Sequence, residues 1–254
     1  MLKKIAFAVP LFLAAALYAQ EDLIQADVRA ARRVAAVTAC LDSIEKNPAA
    51  ISAYGKLVQA LDEVTGPDGP TATAEAVRRI ERLLRRDPQN AYYEYGIGLI
   101  DKARLDFPAA RAHLKASILL GAPFREAYEG LTTCYLSKED MDETAGFLRE
   151  ALKKFPGNPF LFEAIGRIHY YSSEYVEAFA ALEKARAILH ERGDGRGEGE
   201  CLLELCDVCT YSNDYPGALK KAQAGLRLSL DIGDKVLEAL ARDRCAFVWH
   251  DLGN

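Results

Sequence analysis

The sequence predicts an all-α protein, laid out as a linear array of antiparallel helix pairs. Three observations predict it. The first is punctuation: "RRDPQNAYYEYGIGL" (85–99) returns loosely as "KKFPGNPFLFEAIGRI" (153–168). The interval from Pro88 to Pro156 is twice 34, and its midpoint is Ala122, set between Gly121 and Pro123. The second is a beat of slim residues at that same interval. The third is composition. Ala, Leu, Glu, Arg and Lys dominate, which favours helix, while alternating strand patterns and hairpin turns are scarce.

Counting Ala91 as position 1 of a 34-residue repeat exposes the beat. Position 8 is Gly98, Thr132 and Gly166; position 20 is Ala110, Thr144 and Ala178; position 27 is Ser117, Ala151 and Ala185. Bulkier residues fall between them: Phe107, Met141 and Tyr175 at position 17, and Leu114, Leu148 and Leu182 at position 24. Positions 17, 20, 24 and 27 are separated by three and four residues, so they share one helical face. Two helices approach closely only where side chains are small, so the slim positions predict the contact line. Pro near position 32 ends the second helix and re-aims the chain.

These features resemble the tetratricopeptide repeat family, whose repeat is a helix pair of about 34 residues. The family's large residue at position 4 is matched by Tyr128 and Phe162, and its position 11 aromatic by Tyr135; Glu94 and His169 depart from the pattern. The resemblance covers nearly all of the chain after Ala19. It implies a right-handed superhelical solenoid with a concave groove lined by the first helix of each pair.

Element by element, the chain opens with "MLKK" and an uncharged apolar run, residues 5–19, followed by "QED". That order reads as a secretory signal peptide, 1–19, cleaved after Ala19. The run is short for a membrane span, so a membrane is expected only through an uncleaved N-terminal segment. Removal of Lys3 and Lys4 takes the formal charge from −5 to −7. An exported protein follows, periplasmic or bound to a bacterial cell envelope. Residues 20–48 hold a lone helix at about 22–46, ending before Pro48.

The array then runs in repeats of about 49–90, 91–124, 125–158, 159–198 and 199–234, with a final half repeat at 235–254. The first pairs a helix at 49–64 with one at 72–86, carrying Ala76, Ile80 and Leu83 at positions 20, 24 and 27; "GPDGPT" (66–71) reads as an insertion between them. Tyr215, Ala218, Ala222 and Gly225 repeat the second-helix pattern that begins at Tyr175, at an interval of 40 rather than 34. The added residues are assigned to a Gly-rich connection, "ERGDGRGEG" (191–199). The last helix, about 235–252, is expected to leave Phe247, Val248 and Trp249 partly exposed. It is either the cap that a solenoid needs or part of a longer signalling or enzymatic protein whose sensory segment this is.

Candidate chemistry is thin. Cys206 and Cys209 form a C-x-x-C, with Cys201 and Cys245 nearby, but both fall on inward repeat positions, which predicts packing rather than a metal or redox pair. "GDGRGEG" lacks the strand and the Gly-Lys-Ser/Thr ending of a phosphate loop. The four His residues lack metal-ligand spacing. No enzyme, cofactor or metal is expected, and the acidic charge excludes a nucleic-acid-binding stripe.

The resemblance instead implies a protein or peptide partner held in the groove. The family's ligand-facing positions 2, 5, 9, 12 and 13 place there Tyr92, Tyr95 and Lys102, then Glu129 and Thr133, then Glu163, Arg167, Tyr170 and Tyr171, then Asp207 and Tyr211. Only Lys102 and Arg167 are basic, so a segment with apolar or basic side chains is expected rather than a gripped carboxylate.

Overall fold

Helix boundaries follow side chains that finish the backbone hydrogen bonding. Asn90 and Asn158, set the same interval apart as Pro88 and Pro156, each accept from the amide two residues on, at 3.1 and 2.9 Å. They open the helices α4 (Ala91–Ala103) and α8 (Pro159–Tyr171). Asp194 and Asp214 accept from the Gly197 and Gly217 amides at 2.9 and 3.0 Å, opening α10 (Gly195–Tyr211) and α11 (Tyr215–Ile232). Such caps satisfy donors that the first helical turn leaves without partners.

The computed structural model describes residues 28–64, 68–135 and 137–253. The expected signal peptide lies outside the described residues. The remaining helices are α1 (28–46), α2 (Ile51–Glu63), α3 (Asp68–Arg86), α5 (Phe107–Leu119), α6 (Arg125–Thr132), α7 (Lys138–Lys154), α9 (Tyr175–Glu191) and α12 (Lys235–Gly253). Every regular element among the described residues is a helix, so the chain is all-α, and consecutive helices pack as neighbours from α2 to α4 and from α5 to α12. No helix among the described residues is long and apolar enough to cross a membrane.

The described residues fall into two compact units, one ending at Asp106 and one beginning at Phe107. In the N-terminal unit, Tyr54 is the central ring. It packs edge-on against Tyr95, centroids 5.7 Å apart, and lies so close to Gly96 that a Cβ there would sit 2.5 Å from its ring. In the C-terminal unit the slim beat is the packing line. Ala110, Ser117, Thr132, Thr144, Ala151, Ala178 and Ala185 are all buried, as are Leu114, Leu148 and Leu182 between them.

Helix ends share a second device. Leu105, Gly121, Ser173, Gly193, Asn213 and Gly233 are left-handed, with φ between 61° and 83°. The next amide then reaches back five residues, as in Asp194 to the Leu189 carbonyl at 3.0 Å and Asp214 to the Cys209 carbonyl at 2.8 Å. This closes the helix C-terminus. Ser173, Gly193, Asn213 and Gly233 are evenly spaced, so the 40-residue repeat divides into equal halves. Leu105 is the costly case: it is 72% exposed, and its Cβ opposes the left-handed geometry. Leu105→Gly is expected to raise stability by about 1 kcal/mol, read as a higher denaturant midpoint with unchanged m-value.

Three expectations are corrected. Residues 195–199 are not a loop; they are the first turn and more of α10. Gly199 serves packing, because a Cβ there would lie 2.4 Å from Leu237 Cδ2, and Gly197 leaves room for the α10 cap, because a Cβ there would lie 2.7 Å from Asp194 Oδ2 and 3.0 Å from Leu189 Cδ2. The added residues of the 40-residue repeat therefore lengthen helices rather than a connection. Residues 68–71, read as insertion, are likewise the start of α3. Val248 is fully buried, against Cys206, Cys209, Ala218 and Ala222, while Phe247 and Trp249 beside it are exposed. Cys206 and Cys209 thus act as small apolar core residues, and burial pushes the Cys206 thiol up to about 12.

Candidate functional site

The first helices of successive pairs in the C-terminal unit are α6, α8, α10 and α12. Their side chains form charged rungs across the unit. Arg125 on α6 meets Glu163 on α8 at 2.7 Å and also pairs with Glu200 on α10. Glu163 in turn accepts from the Cys201 thiol at 3.0 Å. One turn further along, Arg167 on α8 bridges Glu129 on α6, at 2.8 Å, and Glu204 on α10, at 2.9 Å from its Nε. Beyond that, Arg244 on α12 holds both oxygens of Asp207 on α10, at 2.8 and 3.3 Å.

Burial shapes the charge of these groups. It pushes the Glu163 carboxyl up, with Arg125 pulling the other way. Asp207 is also pushed up by burial, against the Arg244 guanidinium. For Arg167 burial disfavours the charge, but Glu204 and Glu129 outweigh it and its pKa rises. Two carboxylate oxygens, Glu163 Oε2 and Glu204 Oε2, are shielded from solvent without a hydrogen-bond partner.

Between α8, α9, α10 and α12 lies a cavity of about 250 Å³. Arg167, Glu204, Asp207 and Arg244 supply its polar wall, and Tyr170, Tyr171, Leu182 and Val208 its apolar wall. Tyr170 is the hub of an aromatic cluster, with centroids 5.3 Å from Tyr171, 5.5 Å from Tyr211 and 6.3 Å from Tyr175; Tyr135 adds to it at 5.8 Å from Tyr171. Burial raises the Tyr170 hydroxyl. Tyr171 and Tyr211 remain 45% and 58% exposed.

The structure therefore brings Arg167, Tyr170, Tyr171 and Asp207 together around one cavity, with Tyr211 against its rim and Glu129 behind Arg167. Thr133 closes the end of α6, its hydroxyl donating to the Glu129 and Gly130 carbonyls at 2.9 and 3.0 Å. Glu163 is 2% exposed, so it offers a ligand almost no surface; its pairing with Arg125 and Cys201 draws it inward. Tyr92, Tyr95 and Lys102 lie on α4, in the N-terminal unit. Tyr95 is 4% exposed and belongs to the core with Tyr54, whereas Tyr92 and Lys102 are half-buried.

Position-by-position reading missed Arg125, Glu204 and Arg244. A signal for them exists in the sequence. Opposite charges recur 37 or 38 residues apart, in Arg125–Glu163, Glu129–Arg167, Arg167–Glu204 and Asp207–Arg244. That separation joins equivalent turns of neighbouring first helices. Among the described residues, no three His, Cys, Asp or Glu side chains are grouped to hold a metal.

No family model matches the chain, and no curated protein matches it. Solved structures do. A thermophilic tetratricopeptide repeat protein from Thermus thermophilus superposes with a TM-score of 0.53 at 16% identity, over 79% of this chain and 98% of its own. A signal transduction ATPase with numerous domains from Pyrococcus horikoshii, which has a tetratricopeptide repeat sensor, gives 0.53 at 20% identity, over 80% of this chain and 37% of its own. The APC/C hetero-tetramer Cut9–Hcn1 gives 0.50 at 14% identity, over 88% of this chain and 40% of that one. With the slim beat buried, helices packed in sequential pairs and these likenesses over most of its length, the chain has the tetratricopeptide repeat fold.

Proposed function

We propose that this protein is an exported, non-enzymatic scaffold that binds a peptide or protein segment across the α6, α8, α10 and α12 face of its C-terminal unit. The single observation behind this reading is the pairing of exposed Tyr171 and Tyr211 rings with a cavity of about 250 Å³ walled by charged groups. Rigid aromatic rings give large contact area at low entropy cost, and they dominate binding energy at many interfaces. The polar groups here are tied to one another in ion pairs, which suits holding a segment in register. The N-terminal run 5–19, preceded by Lys3 and Lys4, supports export.

Panning a phage-displayed random dodecapeptide library against the protein tests the binding reading. Selected peptides, synthesised and titrated calorimetrically, are expected to bind Tyr171→Ala and Tyr211→Ala at least about 10-fold more weakly, the scale of an interface anchor. Equal binding to both variants would move the site elsewhere. Export is tested by N-terminal sequencing of the protein recovered from cells, whose chain is expected to begin at Gln20.

A further inference from the structure

The charge pattern of the cavity says what kind of side chain enters it. Arg167 and Arg244 contribute positive charge to its wall, but neither is available to an anion. Arg167 is held between Glu129 and Glu204, and Arg244 is gripped by both oxygens of Asp207. An incoming carboxylate would have to displace one that is already in place. The acceptor side has the opposite balance. Glu204 lines the cavity, and its Oε2 is shielded from solvent with no hydrogen-bond partner. A buried carboxylate oxygen with an unmade bond is destabilising until a donor arrives. The lining itself is balanced, Glu204 and Asp207 against Arg167 and Arg244; Glu129 behind Arg167 and Asp243 beside Arg244 tip the surroundings of the cavity towards negative charge.

The apolar side of the cavity adds a second requirement. Tyr170 and Tyr171 line it and Tyr211 packs on Tyr170, so a group entering there meets aromatic rings beside the Glu204 and Asp207 side chains. A flat or compact cation on an aliphatic stem satisfies both: its charge is attracted to ring faces and its N–H groups donate to a carboxylate.

We propose that the cavity between α8, α10 and α12 is a pocket for the cationic side chain, Arg or Lys, of the bound segment, with Glu204 as its acceptor and the Tyr170–Tyr171–Tyr211 cluster as its wall. The inference rests on the binding reading above and goes beyond it by naming the chemistry of the ligand. An acidic or purely apolar segment would leave Glu204 Oε2 without a donor.

The library selection decides it. Peptides enriched on the wild-type protein are expected to share an Arg or Lys. One such peptide is then resynthesised with citrulline in place of its Arg, or norleucine in place of its Lys, and titrated beside the parent. A loss of about 10-fold or more is expected, the worth of a charge-assisted hydrogen bond in a shielded site. Glu204→Gln, which keeps the shape and an acceptor for Arg167, is expected to bind the parent and the neutral peptide within about 2-fold of each other, so that the discrimination disappears with the charge. Enriched peptides with no basic residue, or equal affinity of the parent and neutral peptides for wild-type protein, overturn the pocket and leave the proposed function standing. A selection that enriches nothing above a Tyr171→Ala, Tyr211→Ala double variant overturns both. The peptide substitution needs no protein variant, so misfolding of Glu204→Gln would not blunt the test.

Discussion

Arg125→Ala is expected to destabilise the C-terminal unit by about 3–5 kcal/mol, because it strands a buried carboxylate. Arg125 is the strong partner of Glu163, at 2.7 Å, and Glu163 is almost wholly buried with one oxygen already lacking a partner. The loss comes from an orphaned charge, not from the value of the pair. Arg125→Met with Glu163→Met is therefore expected to recover most of it, since apolar residues of similar volume replace buried ion pairs at little cost. Denaturant unfolding followed by the fluorescence of Trp249, the one tryptophan of the chain and part of the C-terminal unit, reads both variants. A double variant as unstable as the single one would show that the pair itself holds the helices together.

The same residue sets a pH dependence. Burial raises the folded-state pKa of Glu163, with Arg125 and the Cys201 thiol opposing and Glu204 adding to the rise. A raised carboxyl pKa means that the folded state holds the proton more tightly than the unfolded one. Stability linked to Glu163 therefore falls as pH rises from the unfolded value, about 4.3, through the folded one. Wild-type stability relative to Glu163→Gln is expected to increase as pH is lowered from about 8 towards about 5. A pH-independent difference would mean that Arg125 fully cancels the burial.

Leu182→Ala is expected to cost about 2–5 kcal/mol, the range for a buried leucine whose surroundings cannot collapse. Leu182 is the bulky residue seated where Gly166 leaves room: a Cβ on Gly166 would lie 2.8 Å from Leu182 Cγ and 3.3 Å from the Ala178 carbonyl oxygen. The nearest atom is the branch point of the side chain, so a small rotation does not relieve the overlap. Gly166→Ala alone is expected to cost about 1–3 kcal/mol through overpacking. The two changes share one space, so the double variant is expected to be more stable than the summed single losses imply, by about 0.5–3 kcal/mol. Strict additivity in denaturant midpoints would show that the slim beat is not a packing contact. Leu182 also lines the cavity, so its truncation enlarges the apolar side of the proposed pocket.

Much of this molecule is legible in its sequence, and the reason is that its contacts are local. A helix pair packs against its chain neighbours, so the size of Gly166, Ala178 and Ala185 and their spacing encode both the helix face and the pairing. Asn90 and Asn158 likewise announce helix starts through a hydrogen bond to an amide just two positions on. The fold class, the repeat length and the inward role of Cys206 and Cys209 follow from such short-range rules. What the tertiary structure alone decided is where a polar or slim residue ends up when several helices converge on it. Gly197 and Gly199 read as loop residues because glycine disfavours helix, yet the capping Asp194 carboxylate crowds the first and Leu237 the second, so both positions favour the absence of a side chain. Tyr95 and Glu163 sit at positions that would face a ligand, yet one is enclosed by Tyr54 and the other is held inward by Arg125 and Cys201. Burial is a property of neighbours, and those of Tyr95 and Glu163 come from helices a full repeat or more along the chain, where no local preference reaches.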